Sequence, residues 1–249
     1  MQLTNWEQNL LNLENGTVRS ANFIDGKWVA NTEVKQLILE AFKAGTLKEM
    51  HGFVDKHTLP AQTFNVDRGV RVVPGGTSVR RGAYIAKGVI IMPPSYINVG
   101  AYVDEGTMVD SHVLVGSCAQ IGKRVHLSTA VQIGGVLEPI GASPVIIEDD
   151  CFIGAGAIIV EGVVVKSKAV IAPGVVLSKG IPVYDIVNNR ILEKGEAIPS
   201  GAVVVPGNRP VSSNNEWAQK MGLSLKCAII VKYRDEKSEA SLILEDYLR

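Results

Sequence analysis

The sequence predicts a mainly β chain whose central part is a parallel β-helix, and three observations carry that prediction. An aliphatic residue recurs every six positions through two long blocks. A small or β-branched residue recurs four positions after it. Both rhythms stop together once, in a glycine-led segment, and resume out of phase.

The first block reads Val73, Val79, Ile85, Ile91, Ile97, Val103, Val109, Val115, Ile121, Leu127 and Ile133. The second reads Ile147, Ile153, Ile159, Val165, Ile171 and Leu177. A helix turns once in about 3.6 residues, so positions six apart leave any single face. An isolated strand alternates with period two and demands no small residue at a fixed offset. A three-sided prism satisfies both rhythms. Each hexad supplies a short strand and a corner, and three hexads close one turn. The aliphatic side chain points inward, and successive turns stack as parallel strands. Residues such as Thr77, Ala83, Ser95, Ala101 and Ala119 then fit the corners, where room is limited. Gly82, Gly88, Gly100 and Gly106 suit corners that require positive φ.

The interruption, Gly134 to Ile146 (GGVLEPIGASPVI), replaces two hexads and adds two residues. In a solenoid such an insertion leaves the coil as a loop, and loops on rigid scaffolds often carry function. The Gly134–Gly135 doublet would let a ligand approach the backbone closely.

The flanks follow other patterns. Apolar spacing at Val34, Leu37, Ile38 and Ala41 predicts a helix within 33–43, with Gly45 as its stop. The Asp25–Gly26 step predicts a hairpin turn within 22–29. Residues 198–207 read as a last irregular turn, 225–233 as a strand and 238–248 as a short helix. The expected plan is an N-terminal α/β cap over 1–64, a coil over 65–207 carrying the loop 134–146, and a C-terminal strand/helix extension over 208–249.

Composition excludes several classes. Hydrophobic residues make up 46% and charged residues 20%, and the formal net charge is zero, so neither a nucleic acid nor an anionic membrane is expected as partner. The N-terminus carries no apolar signal core, and no uninterrupted apolar run approaches the ~18 residues of a membrane span. Cys118, Cys151 and Cys227 are odd in number and far apart, which fits a reducing, cytoplasmic setting better than a disulfide framework. The four histidines, His51, His57, His112 and His126, form no HxxxxH pair, so no metal site is expected.

Several runs are more specific than the hexads. GVRVVP (Gly69–Pro74), NVGAYVDEGTMVDS (Asn98–Ser111), VGSCAQIGKRVHLS (Val115–Ser128), IGGVLEP (Ile133–Pro139), VIIEDDCFIGA (Val145–Ala155) and CAIIVK (Cys227–Lys232) resemble the tetrahydrodipicolinate N-succinyltransferase family. The resemblance covers roughly residues 22–249. It implies a left-handed coil, a hand that periodicity does not supply, and a homotrimer with sites in clefts between neighbouring coils. It implies transfer of a succinyl group from succinyl-CoA to the amine of opened tetrahydrodipicolinate, with the acyl-CoA as co-substrate and no permanently bound cofactor. The family's substrate-contacting Arg and Asp fall on Arg71 and Asp110.

These assignments make chemical sense. A guanidinium fork suits a carboxylate of a dicarboxylate acceptor. An aspartate following inward Val109 faces outward, where it can bind an ammonium and accept its proton. The competing reading of Asp110 is a turn aspartate bonding a nearby backbone amide, as Asp104 at the same offset would. Aminolysis of a thioester needs a deprotonated amine, alignment and oxyanion donors, and the amides near Gly134 and Gly135 are candidate donors to the oxyanion or to pantetheine.

One position departs from the family. The succinyltransferases carry a Glu shortly before VEG, and here that position is Ile158 in GAGAIIVEG. This stretch resembles the related tetrahydrodipicolinate N-acetyltransferases. Three alternatives follow: Asp110 suffices, another group such as Glu138 substitutes, or the donor or acceptor differs, with acetyl-CoA as the alternative donor. His112, two residues from Asp110, and His126, beside Arg124, read as surface residues, and Cys118 as a structural one.

Overall fold

A computed structural model describes residues 3–50, 52–211 and 214–234. From Arg71 to Leu177 the chain is a three-sided coil of two-residue strands. Strands opening at Arg71, Ile90, Met108, His126, Phe152 and Val170 stack in parallel on a first face. Those opening at Ser78, Tyr96, Leu114, Gln132, Ile158 and Val176 form a second face. Those opening at Tyr84, Tyr102, Gln120, Ile146 and Val164 form the third.

The second residue of each strand fills the prism. Ile91, Ile97, Val103, Val109, Val115, Ile121, Leu127 and Ile133 are completely buried and belong to one core. Burying such a side chain contributes about 1.5–3 kcal/mol, which makes the aliphatic ladder the main source of coil stability. The corner residues are small for a second reason. Thr107 Oγ1 donates to Gly122 O at 2.8 Å, Ser95 Oγ donates to Asp110 O at 2.8 Å, and Cys151 Sγ donates to Lys166 O at 3.2 Å. Thr107 and Ser95 thus satisfy carbonyls of the next rung that have no backbone donor among the described residues, while Cys151 adds to a carbonyl already bonded by Ala169 N–H at 3.3 Å.

Two details of the repeat differ from the sequence reading. Val72, not Val73, stacks beneath Ile91, because the Pro74–Gly75–Gly76 corner holds one extra residue. That shift turns Arg71 outward; strand alternation from an inward Val73 would have pointed it into the core. The interruption also advances the coil by a single face, since Ile147 pairs with Ile121 on the third face. It therefore adds eight residues to one hexad rather than two residues to two hexads, and it ends at Val145, where the strand Ile146–Ile147 begins.

The third face is covered by the N-terminal residues. Helix α1 (Asn5–Glu14) opens with a capping box between Thr4 and Glu7. Helix α2 (Thr32–Ala44) is capped by Asn31, whose side chain accepts from Val34 N–H at 3.2 Å. Leu10, Leu13, Val34, Ile38 and Ala41 pack with Val99 and Cys118 of the coil in a second apolar cluster. The expected hairpin joins Ala21–Ile24 to Lys27–Ala30, with Asp25 and Gly26 at φ 48° and 77°. Helix α1 and a further hairpin, Leu47–Met50 with Phe53–Lys56, were not anticipated.

At the other end, Val203–Val204 stacks on Val170–Ile171 and closes the first face. The strand Ala202–Pro210 continues past position 207 and pairs antiparallel with Ser224–Tyr233, so the last rung and the C-terminal ribbon share one strand. The expected helix over 238–248 lies outside the described residues.

Candidate active site

Arg71 and Asp110 lie on the same side of the coil. Arg71 is exposed and outward on the first face, in register with Ile90 and, one rung further, with Met108. Asp110 follows Met108–Val109 at the corner between first and second faces and is half-buried. Two rungs separate them, about 10 Å along the coil axis. Their side chains do not touch, so a ligand held by both would span that gap.

The Asp110 carboxylate is oriented by its own turn. Its Oδ1 accepts from Ser111 N–H at 2.7 Å, just as Asp104 Oδ1 accepts from Glu105 N–H at 2.8 Å. The turn-aspartate geometry is therefore real, and it occupies one oxygen. Oδ2 has no hydrogen-bond partner among the described residues. The backbone beneath is fixed too: Asp110 N–H donates to Leu127 O at 2.9 Å, and His112 N–H to Pro94 O at 2.6 Å. His112 completes the corner at φ 62°, a left-handed conformation uncommon for a non-glycine residue. Its carbonyl accepts from Gln132 Nε2 at 3.3 Å. His126 is outward on the first face and half-buried, edge-on to Phe152 with ring centroids 5.1 Å apart.

Gly134 and Gly135 sit at the opposite edge of the second face, where the insertion leaves the coil. Packing requires both. A Cβ on Gly134 would lie 2.8 Å from Val160 Cγ1, and one on Gly135 would lie 2.7 Å from Ser117 N. The Gly134 N–H is already donated to Ile159 O at 2.8 Å, which removes it as a free donor. The Gly135 N–H has no hydrogen-bond partner among the described residues, and Gly135 is exposed. Glu138 lies on the same insertion, exposed, so one chain does not bring it to Asp110.

Ile158 is outward on the second face, 37% exposed, stacked between Gln132 and Val176. No carboxylate occupies that rung of the face. The cysteines offer no nucleophile: all three are buried, and burial pushes the Cys118 thiol up and the Cys151 thiol up to about 12. No group of three or more His, Cys, Asp or Glu among the described residues could hold a metal ion. No helix among them is long and apolar enough to cross a membrane.

Sequence reasoning did not find Gln132, Arg19 or Lys35. Arg19 lies 3.7 Å over the Tyr102 ring and donates to Gln120 Oε1 at 2.9 Å, tying the cap to the third face. Its arginine type carried no periodic signal. Lys35 occupied a position that the helical spacing left unassigned.

Comparison with known proteins agrees with this architecture. Residues 144–179 match a family described as the hexapeptide repeat of succinyl-transferase. A Campylobacter jejuni crystal structure, of a candidate 2,3,4,5-tetrahydropyridine-2-carboxylate N-succinyltransferase, superposes with a TM-score of 0.57 at 16% identity. The superposition covers 97% of this chain and 65% of that one, so this chain spans just under two thirds of its length. The shared fold is the left-handed parallel β-helix. The 2,3,4,5-tetrahydropyridine-2,6-dicarboxylate N-succinyltransferase of Acinetobacter baylyi is 46% identical over 98% of this chain and 88% of its own. That of Legionella pneumophila strain Corby is 45% identical, with 86% of its own length covered. With 45% identity maintained across 96% of its length, this chain belongs to the 2,3,4,5-tetrahydropyridine-2,6-dicarboxylate N-succinyltransferase family.

Proposed function

We propose that this protein transfers the succinyl group of succinyl-CoA to the amine of tetrahydrodipicolinate in its open form, L-2-amino-6-oxopimelate, a step of diaminopimelate and lysine biosynthesis. The observation that carries this reading is the family membership across nearly the whole chain. The acceptor nitrogen attacks the thioester carbonyl, the C–S bond breaks, and the amine proton passes through Asp110 to the departing thiolate. With Oδ1 held by Ser111 N–H, Oδ2 is the oxygen that takes the proton. Arg71, outward two rungs away, pairs with a carboxylate of the pimelate-length acceptor. The Gly135 N–H serves the acyl donor, and Gly134 keeps the insertion stem packed on the coil.

Asp110 and Gly135 stand at opposite edges of one face. A site holding both is therefore completed between neighbouring coils, and two apolar surfaces left largely open by the described residues support a homotrimer. Ile90, Met108, Phe152 and Val170 line the first face, and Tyr96, Leu114, Ile158 and Val176 the second. Among the described residues the cap packs on the third face and, through Ala61 and Gln62, on the first rung of the second. Two different apolar faces per chain suit the head-to-tail contacts of a closed ring. The division into a cap over 1–64, a coil over 65–207 and an extension over 208–249 belongs to the same proposal, as does a cytoplasmic setting for the three free cysteines.

Acetyl-CoA is the second reading of the donor, and Ile158 favours it, because an apolar side chain stands where the family's second carboxylate is expected. Steady-state release of CoA, with 2-aminopimelate as a stable acceptor analogue, separates the two. The proposal expects a higher kcat/KM with succinyl-CoA; a higher value with acetyl-CoA assigns the acetyl donor.

A further inference from the structure

Lys35 is the largest completely buried side chain in the protein's described residues. It sits in the first turn of helix α2, between Val34 and the apolar positions Ile38 and Ala41. Two costs attach to that place. An ammonium removed from water loses hydration, and a cation in the first turn opposes the helix dipole. Burial correspondingly holds the Lys35 ammonium below the usual lysine range, partly countered by Cys118. A methionine of similar length would fill the space with neither cost.

What the lysine provides is one contact. Its Nζ donates to Ala142 O, in the insertion, at 2.6 Å. That carbonyl belongs to the turn closed by Ala142 N–H on Pro139 O at 2.9 Å. The same insertion touches the coil through Val136 N–H on Ser117 O at 3.0 Å, and the cap through Leu137. The charge-assisted bond ties its outer turn to helix α2, over a separation of 107 residues.

We infer that Lys35 is a positioning residue: it clamps the outer turn of the insertion to the cap, and so holds the loop that begins at Gly135 in the conformation that receives the acyl donor. The second half of this statement rests on the acyl-transfer reading; the clamp itself does not.

Hydrogen exchange and kinetics on the full chain test the two halves separately. Lys35→Met keeps the apolar stem and removes the ammonium, and Lys35→Gln keeps a shorter donor. In Lys35→Met the Val136 and Ala142 amides are expected to exchange about tenfold faster or more, with coil amides such as Asp110 unchanged. The melting temperature is expected to stay level or rise. KM for succinyl-CoA is expected to rise roughly fivefold to tenfold, with kcat within about twofold and Lys35→Gln intermediate. Unchanged loop exchange in both variants overturns the clamp. A lower melting temperature with faster exchange throughout helices α1 and α2 overturns it too, in favour of a purely structural lysine. A loosened loop with unchanged KM overturns the donor-positioning half alone. Wild-type protein that releases no CoA from either donor defeats the acyl-transfer reading while the exchange result still decides the clamp.

Discussion

The Asp110 carboxylate and the Ser111 backbone amide are joined at 2.7 Å, so the side chain proposed as proton acceptor is also the hinge pin of its own corner. Asp110→Asn separates these roles. The asparagine oxygen still accepts from Ser111 N–H, and the ionisable group is gone. The corner should keep its shape, so the thermal melt is expected to match the wild type. Loss of a general base should lower kcat by about a hundredfold to ten-thousandfold. A variant that turns over normally leaves Asp110 with only its turn.

Arg71 is exposed and sits two rungs from Asp110, which permits substitution without loss of core packing. Arg71→Met should raise the KM for the dicarboxylate acceptor by about tenfold to a hundredfold, the worth of one hydrogen-bonded ion pair. Succinyl-CoA KM should be unaffected. Equal acceptor KM values in the two proteins would assign the carboxylate to another residue.

Ile158→Glu places a carboxylate on the second face between Gln132 and Val176. Its 37% exposure on the single chain keeps the new carboxylate out of the coil core, and size-exclusion chromatography of the variant checks that assembly is retained. If the family's second carboxylate acts from this rung, kcat/KM for succinyl transfer should rise relative to acetyl transfer, by about tenfold for each 1.4 kcal/mol of new transition-state stabilisation. Parallel assays with the two donors read the ratio; no change, or a fall, means that Asp110 operates without a partner here.

Gly116→Ala tests the stem of the insertion. A Cβ there would lie 2.6 Å from Gly134 C and from Gly135 Cα, so backbone must move. Destabilisation of about 1–3 kcal/mol is expected in urea titration, with a raised KM for the acyl donor. Wild-type stability would show that the stem yields freely.

Much of this was legible in the sequence, and the reasons are physical. Inward positions such as Ile97, Val109 and Ile153 repeat because every rung of a prism imposes the same environment, so composition reveals geometry. The register failed only at Val73, where the extra corner residue at Pro74–Gly75–Gly76 changes which neighbour points inward. The insertion length was misjudged because hexad phase alone does not say which face receives the returning chain; the pairing of Ile147 with Ile121 does. Asp110 and Arg71 came from motif resemblance; alternation from inward Val109 gave the outward placement of Asp110, whereas that of Arg71 emerges only with the shifted register at Val72. Helix α1 was missed because its buried positions, Asn9, Leu10 and Leu13, include a polar residue and make a short stripe. Lys35 was invisible because a lysine in a helical pattern reads as solvent-facing, and only the returning insertion makes it a buried donor.

The central claim is that this chain joins a succinyl group to an amino-dicarboxylate nitrogen. The most direct measurement is mass spectrometry of the products from purified protein, succinyl-CoA and 2-aminopimelate, with Asp110→Asn as the matched control. The account predicts N-succinyl-2-aminopimelate and free CoA in equal amounts, formed far more slowly by the variant. Absence of the N-succinyl product, with the protein folded and both substrates present, would contradict it.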